Sequence, residues 1–480
     1  MFISKLDKQH SKPQYVQLYE HIKHEMVTGG LAEHTRMPSI RSLADFLGVS
    51  PTTVESAYSQ LQAEGYLVSK PKRGYYVQPL GDLELNIERD KGGGAPVDLT
   101  KRAASRAFPA RDGASYQYDF HLSQNDFALF PFQLWRKMSN QALRPDNQHL
   151  LFYGDPQGEY GLRVQISSYL HRFRGCQCTP DQIVVGSDQH HLLTLLSSLL
   201  KLQVQHIGVE NPGYLLHAET FKQNGFQVSP IPLEADGICI GELVSRQVQA
   251  VCVSPSHQYP RGMTMPIGKR IQLLEWSRQT GGFIIEDDYD GEFRYHGRAV
   301  PSLQGLVTDA NVIYLGGFSQ VLAPALCVHY MVLPASLLDA YQRLEYYTLL
   351  EQSSSRLHQY TLQLFMEGGH LERHVRKMRK WYGQKHDLVI ETILRVFAGK
   401  AQIIGKDAGF HILLRIEHTK TEQELVVLAK QADIRIASAA YTWLEPPHHT
   451  HKEFLLGFGG IKMERIVEGV ERLYEVWYGK

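Results

Sequence analysis

Apolar residues along the chain follow two periods, and the change from one to the other divides it. Between Tyr15 and Val27 they fall at Val16, Leu18, Tyr19, Ile22, Met26 and Val27, close to one helix face, and Gly29-Gly30 ends the run. Ser39–Leu47 predicts a second helix between Pro38 and Gly48. A third opens at Ser50 or Pro51 and runs through Val54, Ala57, Tyr58 and Leu61 to Gly65. Helix, glycine turn, helix is helix-turn-helix spacing. Tyr66-Leu67-Val68 and Tyr75-Tyr76-Val77 then read as two short strands around a basic tip, Ser69–Gly74, with Lys70, Lys72 and Arg73. A winged helix-turn-helix is expected over residues 1–78.

Residues 79–115 lose all periodicity and contain Gly92-Gly93-Gly94, Pro96 and Pro109, as a linker does. A coil of that length spans about 30–37 Å, enough to reach a neighbouring subunit. Tyr116–Pro131 re-enters the fold and Phe132–Leu143 reads as a helix. Short apolar runs at Ile183–Val185, Ile207–Glu210, Val251–Ser254, Phe283–Glu286 and Val312–Leu315 then alternate with helical stretches at His190–Leu202, Leu215–Asn224 and Ile267–Thr280. Such alternation predicts a parallel or mixed sheet with helices on both faces. From about residue 335 the pattern is helical (Leu338–Tyr382, His386–Phe397). Strands at Phe410–Ile416 and Phe454–Phe458 and a last helix at Met463–Tyr478 then suggest a smaller α+β subdomain.

Candidate chemistry concentrates where one strand ends. In GFIIEDDYDGEFRY, Gly282–Tyr295, the run Phe283-Ile284-Ile285 empties into Glu286, Asp287, Asp288 and Tyr289. Ligands of open α/β sheets collect at the carboxyl ends of strands, so these four are expected beside a crevice. An acid facing a ring nitrogen and a phenol facing a ring hydroxyl suit a pyridine cofactor. Gly186-Ser187-Asp188-Gln189 lies between a strand and a helix, where N–H groups can meet a phosphate.

Composition narrows the picture. The 480 residues carry 50 Lys and Arg against 50 Asp and Glu, so nucleic-acid binding must rest on a local patch. Residues 1–78 hold nine basic against seven acidic residues. Ser50, Thr52 and Thr53 open the third helix, where hydroxyls and free N–H groups can meet phosphates or base edges, with Arg36 and Arg41 flanking. Met1–Lys12 is polar and Leu192–Leu202 is interrupted by Thr194, Ser197, Ser198 and Lys201, which predicts no membrane segment and a cytoplasmic location. Five cysteines without C-x-x-C spacing read as reduced thiols, and neighbouring pairs such as His190-His191 and His448-His449 do not suggest a metal site.

Tyr153-Gly154-Asp155-Pro156, Glu210-Asn211-Pro212-Gly213-Tyr214, Pro255-Ser256-His257-Gln258-Tyr259-Pro260, the EDDYDGEFRY stretch, and Phe318-Ser319 followed by Ala323-Pro324-Ala325-Leu326 occur in that order. Residues 116–480 thereby resemble the aminotransferase-like domain of the MocR subfamily of GntR transcriptional regulators. Met37-Pro38-Ser39-Ile40-Arg41 and the Arg73-Gly74 wing tip resemble the family's DNA-binding module. The resemblance implies a multidomain fold: an N-terminal winged helix-turn-helix plus an α/β fold-type I aminotransferase-like domain with a smaller α+β C-terminal subdomain. It implies a homodimer that reads paired half-sites in operator DNA through Arg36, Arg41, Ser50, Thr52, Thr53, Arg73 and Gly74. Pro51 departs from the basic or polar residue common there.

For the large domain the resemblance implies pyridoxal phosphate, with Ser187 at the phosphate, Tyr214 stacked on the ring, Asp287 at the ring nitrogen and Tyr289 at its hydroxyl. It also implies lysine at position 320, where this chain has Gln320, so the family's internal Schiff base cannot form. Cys327 replaces a phosphate-gripping arginine, Asp188 an uncharged residue and Arg261 a small hydroxyl residue. The cofactor is then held without a covalent bond, or it is lost in favour of another effector. A DNA-binding regulator that senses a small molecule without aminotransferase activity is the first expectation. An active aminotransferase with an appended regulatory domain is the rival, and a constitutive DNA-binding protein with a purely dimerising large domain is the third.

Overall fold

A computed structural model describes residues 6, 12–27, 30–70, 73–79, 116–122, 125–295, 300–307, 309–348, 354–406, 408–446 and 451–479. Gly29, Lys72, His448-His449 and all of the expected linker beyond residue 79 lie outside them.

The first unit is α1 (Gln14–Val27), α2 (Ile40–Leu47), α3 (Pro51–Ala63) and the hairpin β1 (Leu67–Lys70) with β2 (Gly74–Val77). Ser39 caps α2 through its side chain, and Gly48 in the left-handed region (φ 64°) closes it. The wing pairs Leu67 with Val77 and Lys70 with Gly74. Leu18, Ile22, Val54, Ala57, Tyr58 and Leu61 form its core, none of them exposed.

The chain continues through β3 (Tyr118–Asp119), α4 (Phe132–Ala142), α5 (Tyr160–Arg174), β4 (Ile183–Gly186), α6 (Gln189–Leu200), β5 (His206–Asn211), α7 (Leu215–Gln223), β6 (Gln227–Glu234) and β7 (Gly237–Ile238). Next come α8 (Ile240–Ser245), β8 (Ala250–Val253), α9 (Ile267–Thr280), β9 (Phe283–Asp287), β10 (Val312–Gly317) and β11 (His329–Val332). All of these strands except β3 make one eight-stranded sheet in the order β4-β11-β10-β9-β8-β5-β6-β7. The central pairs are parallel, and β11 lies antiparallel to both β10 and β4. Two apolar layers cover it. Ala250, Cys252, Phe283 and Ile285 face the layer built on α6 and α7, whereas Val251, Val253 and Ile284 face the one containing Leu273, Leu274 and Trp276 of α9. Alternation along a strand sends neighbours to opposite faces.

The remainder is α10 (Ala335–Thr348), α11 (Arg356–Glu367), α12 (His370–Phe397), β12 (Ala401–Ile404), β13 (His411–Ile416), α13 (Glu422–Gln431), β14 (Ile434–Arg435), β15 (Ala437–Ser438), β16 (Lys452–Gly457) and α14 (Met463–Tyr478). Its four-stranded sheet runs β12-β13-β16-β15. Three expectations need correction. The helical region breaks before Arg356, where Ser355 caps a new helix, and again at Gly368-Gly369, but not near Tyr382, which α12 carries straight through. β6 and β11 were not foreseen. Finally, β3 pairs with β14, Tyr118 opposite Ile434, so the segment after the linker builds the small subdomain, which therefore does not begin only near residue 335.

The winged helix rests on the large domain of its own chain. Ile267, at the start of α9, is 5% exposed and joins the winged helix's core, and its N–H donates to the Glu64 carbonyl at 3.0 Å. Gly65 (φ 78°) lies so close to Pro266 that a Cβ there would meet the proline Cβ at 2.5 Å. Gly65→Ala is expected to weaken this docking through the clash of its Cβ with Pro266, beyond the roughly 1–2 kcal/mol that the left-handed backbone costs the winged helix itself. The measurement is faster amide exchange at Ile267 with exchange in α6 unchanged; an unaltered Ile267 amide would refute the docking.

Candidate functional site

At the winged helix, Ser50 caps α3: its Oγ accepts from the Thr53 N–H at 3.2 Å and lies 2.8 Å from Thr53 Oγ1. Pro51 takes the first helical position, where a missing N–H costs nothing. The hydroxyls of Ser50 and Thr53 therefore hold each other, and Thr52 stands exposed beside them. Arg36, Arg41 and Arg73 are exposed as well. Arg36 bridges to Tyr76 by its backbone, and its Nε would lie 3.8 Å from a Cβ built on Gly74. Gly74 (φ 95°) closes the wing tip opposite Lys70, and the Arg36 side chain reaches up to it.

In the large domain, period-two alternation sorts the carboxylates at the end of β9. Glu286 follows Ile284 onto the α9 face and accepts N–H bonds from Leu303 (2.8 Å) and Gln304 (3.1 Å). Burial and the Asp288 carboxylate push its acid up to about 7. Asp288 is tied to Arg174 Nε at 2.5 Å and to the Tyr314 hydroxyl, while Arg174 also reaches Ser256 Oγ at 2.6 Å. The expectation that all four residues border a crevice is corrected: Glu286 and Asp288 are spent on internal partners. Asp287 falls on the opposite face, with Oδ2 3.3 Å from His217 Nε2 on α7, and Gln189 of α6 is 3.2 Å from the same nitrogen.

The Tyr289 hydroxyl meets His257 Nδ1 at 2.9 Å, and the Asp290 carboxylate reaches the same nitrogen at 2.8 Å. The half-buried phenol thus bears on a buried histidine. Tyr214 is 41% exposed, edge-on to His217 and Tyr259 at 5.5 and 5.8 Å between centroids. Its ring remains open to an aromatic ligand. Glu210, at the end of β5, is pushed up to about 8 by burial, against the pull of the Gln258 amide and the Ser254 N–H. Glu210 therefore adds little charge beside Asp287.

The other end is anionic. Asp188 caps α6, its Oδ1 accepting from the His191 N–H at 2.8 Å, and Ser187 Oγ donates to its Oδ2 at 3.1 Å. Burial alone would raise the Asp188 acid, but those donors and the His329 and His191 rings outweigh it and hold the acid below its ordinary value. A carboxylate thus occupies the helix N-terminus and the serine hydroxyl that a phosphate would use. His329 lies between the loops, 3.2 Å from the Ser187 carbonyl and 3.2 Å from Ser319 Oγ, and burial lowers its pKa. Cys327 is exposed with φ 52°, and Gln320 Oε1 is buried without a hydrogen-bond partner among the described residues. Asp287 and Tyr214 suit the ring of a pyridoxal; Asp188, Cys327 and Gln320 do not suit its phosphate or its aldehyde.

The histidines 217, 257 and 329 were not singled out in the sequence. Only His257 lies within a motif, and His217 and His329 reach the site through α7 and β11. Among the described residues no group of three or more His, Cys, Asp or Glu is placed to hold a metal, and no helix is long and apolar enough to cross a membrane.

Comparison with known proteins fits this geometry. Residues 14–77 match the family described as bacterial regulatory proteins, gntR family, and residues 119–445 match aminotransferase class I and II. The HTH-type transcriptional regulator YdeL of Bacillus subtilis is 37% identical over 97% of both chains. The "Probable rhizopine catabolism regulatory protein MocR" of Rhizobium meliloti is 29% identical, over 98% of this chain and 94% of that protein. The kynurenine aminotransferase structure from Pyrococcus horikoshii superposes with a TM-score of 0.68 at 22% identity, covering 78% of this chain and 96% of that one, and so shares the fold. With a gntR-type winged helix joined to a class I and II aminotransferase domain, this chain belongs to the MocR subfamily of GntR-family transcriptional regulators.

Proposed function

We propose that this regulator senses a small molecule in its aminotransferase-like domain and performs no transamination. The observation that carries this is Asp188: its carboxylate caps α6 and takes the Ser187 hydroxyl, so the cradle for a phosphate already holds an anion. Gln320 supports the same reading, since an amide nitrogen is neither basic nor nucleophilic. The crevice retains Asp287 with His217 and the open ring of Tyr214, a set that favours an aromatic ligand without a phosphate.

In this reading residues 1–78 bind operator DNA, 79–115 link, and 116–480 sense and dimerise, in the cytoplasm where operators are found. Arg36, Arg41, Thr52, Arg73 and Gly74 meet DNA directly, whereas Ser50 and Thr53 act first by holding the start of α3. Exposed apolar side chains concentrated between residues 127 and 164 support a homodimer: Leu151, Phe152 and Tyr153 are each more than 70% exposed, at 75%, 73% and 71%.

Incubation of the full-length protein with pyridoxal phosphate, followed by borohydride reduction and mass spectrometry, is expected to give no modified lysine in the crevice and no turnover with amino acids. Asp188→Ser keeps the helix cap and removes the charge, so it is expected to tighten pyridoxal phosphate by about tenfold, about 1.4 kcal/mol, without changing affinity for pyridoxal. A reduced lysine adduct in the wild-type crevice together with turnover would overturn the proposal.

Arg73→Ala is expected to weaken binding to specific and unrelated duplexes alike and to reduce the salt slope by about one, as loss of a phosphate contact does. Titrations at several salt concentrations check this, and unchanged affinity and slope would remove Arg73 from the interface. The full-length protein is expected to sediment as a dimer at micromolar concentration, and Phe152→Asp to shift it towards monomer. A wild-type monomer would show that the exposed apolar surface has another use.

A further inference from the structure

A second cavity, of about 310 Å³, opens between the edge of the large sheet and the small subdomain. It lies at the low end of the range for small-molecule sites. Ser187, Asp287, Tyr289 and Gln320 do not line it, so it is separate from the crevice described above. Its walls mix apolar and polar groups, and the apolar part is Pro212 after β5, Pro230, Pro232 and Leu233 on β6, and Trp443 and Pro446 from the small subdomain. The two sides are joined beside it, where Asn211 Oδ1 accepts the Leu444 N–H at 2.8 Å and the Gly213 N–H donates to the Thr442 carbonyl at 2.9 Å.

The charges in this cavity are unequal in their commitments. Arg246, which caps the end of α8, is paired with Glu242 at 2.7 Å, and Glu445 is exposed. Arg261 is different. Its guanidinium carbon lies 5.7 Å from the centroid of the Trp443 ring, and its Nε is buried with no hydrogen-bond partner among the described residues. Burial lowers its pKa; Glu453 opposes this and Arg415 adds to it. A buried guanidinium donor without an acceptor is costly, and a carboxylate is the acceptor whose geometry fits it.

We propose that this cavity is a second ligand site, which takes a compact organic acid: a carboxylate on Arg261 and an apolar body against Trp443 and the prolines. One free guanidinium and two neighbouring carboxylates suit a monoanion and disfavour a phosphate dianion. A bound acid would touch both subdomains at once, because Pro212 and Leu233 belong to one and Trp443 to the other.

The test uses the full-length protein and fluorine NMR with 4-fluorobenzoate as probe and 4-fluorobenzamide as its neutral counterpart. Saturable binding of the benzoate is expected, with the amide about tenfold weaker or worse, as loss of a charge-assisted pair implies. Arg261→Gln is expected to weaken the benzoate about tenfold, while Asp287→Asn in the other crevice leaves it within about twofold. If Arg261→Gln does not fold, Leu233→Trp fills the cavity and must abolish binding. No saturable binding up to about 10 mM, equal binding of acid and amide, persistence in Leu233→Trp, or loss in Asp287→Asn would each overturn the proposal.

Discussion

The buried pair between Arg174 and Asp288 is the constraint on which the large domain depends. Arg174 ends α5 and is 2% exposed, yet it holds the Asp288 carboxylate, the Ser256 hydroxyl and the Gly291 carbonyl together. Removing one partner of such a pair leaves an uncompensated buried charge, which typically costs about 3–5 kcal/mol. With Asp288 fixed on that side, strand alternation fixes Glu286 with it and turns Asp287 towards His217. The crevice therefore receives one carboxylate from β9, and the other two serve the fold.

Much of this was legible in the residues, and the limits have physical causes. The run Phe283-Ile284-Ile285 and the helix from Met463 to Tyr478 were read correctly, because a buried strand and an amphipathic helix each carry their period locally. The wing was read from two short runs around a glycine turn. β6 was hidden by Pro230 and Pro232, which argue against an inner strand. The Pro232 carbonyl accepts from Cys239 on the outer side, so the missing N–H faces away from β5 and breaks no ladder bond. β3 could not be placed at all, since two residues acquire strand character only by meeting Ile434 and Arg435, more than 300 positions later.

The site divides the same way. Asp287 and Tyr214 were singled out from motif order, and the structure brings both against His217. The separate fates of Glu286, Asp288 and Tyr289 were in principle available from alternation, but their partners Leu303, Arg174 and His257 come from distant elements. His329 gave no local signal, because a single histidine opening an unforeseen strand looks like any other. Asp188 was visible as a charge out of place. Its second role, as the cap that starts α6, appears only once the helix boundary is fixed at Gln189.

That cap changes the competition at the helix end. A carboxylate attached one residue before α6 is present at an effective concentration set by the backbone, and tethered groups of this kind act as if at millimolar levels or far above. A free phosphate ester in the cell arrives by diffusion and is dilute by comparison. On the proposed reading the protein thus carries its own competitor, and a phosphorylated metabolite is a poor effector for such a crevice.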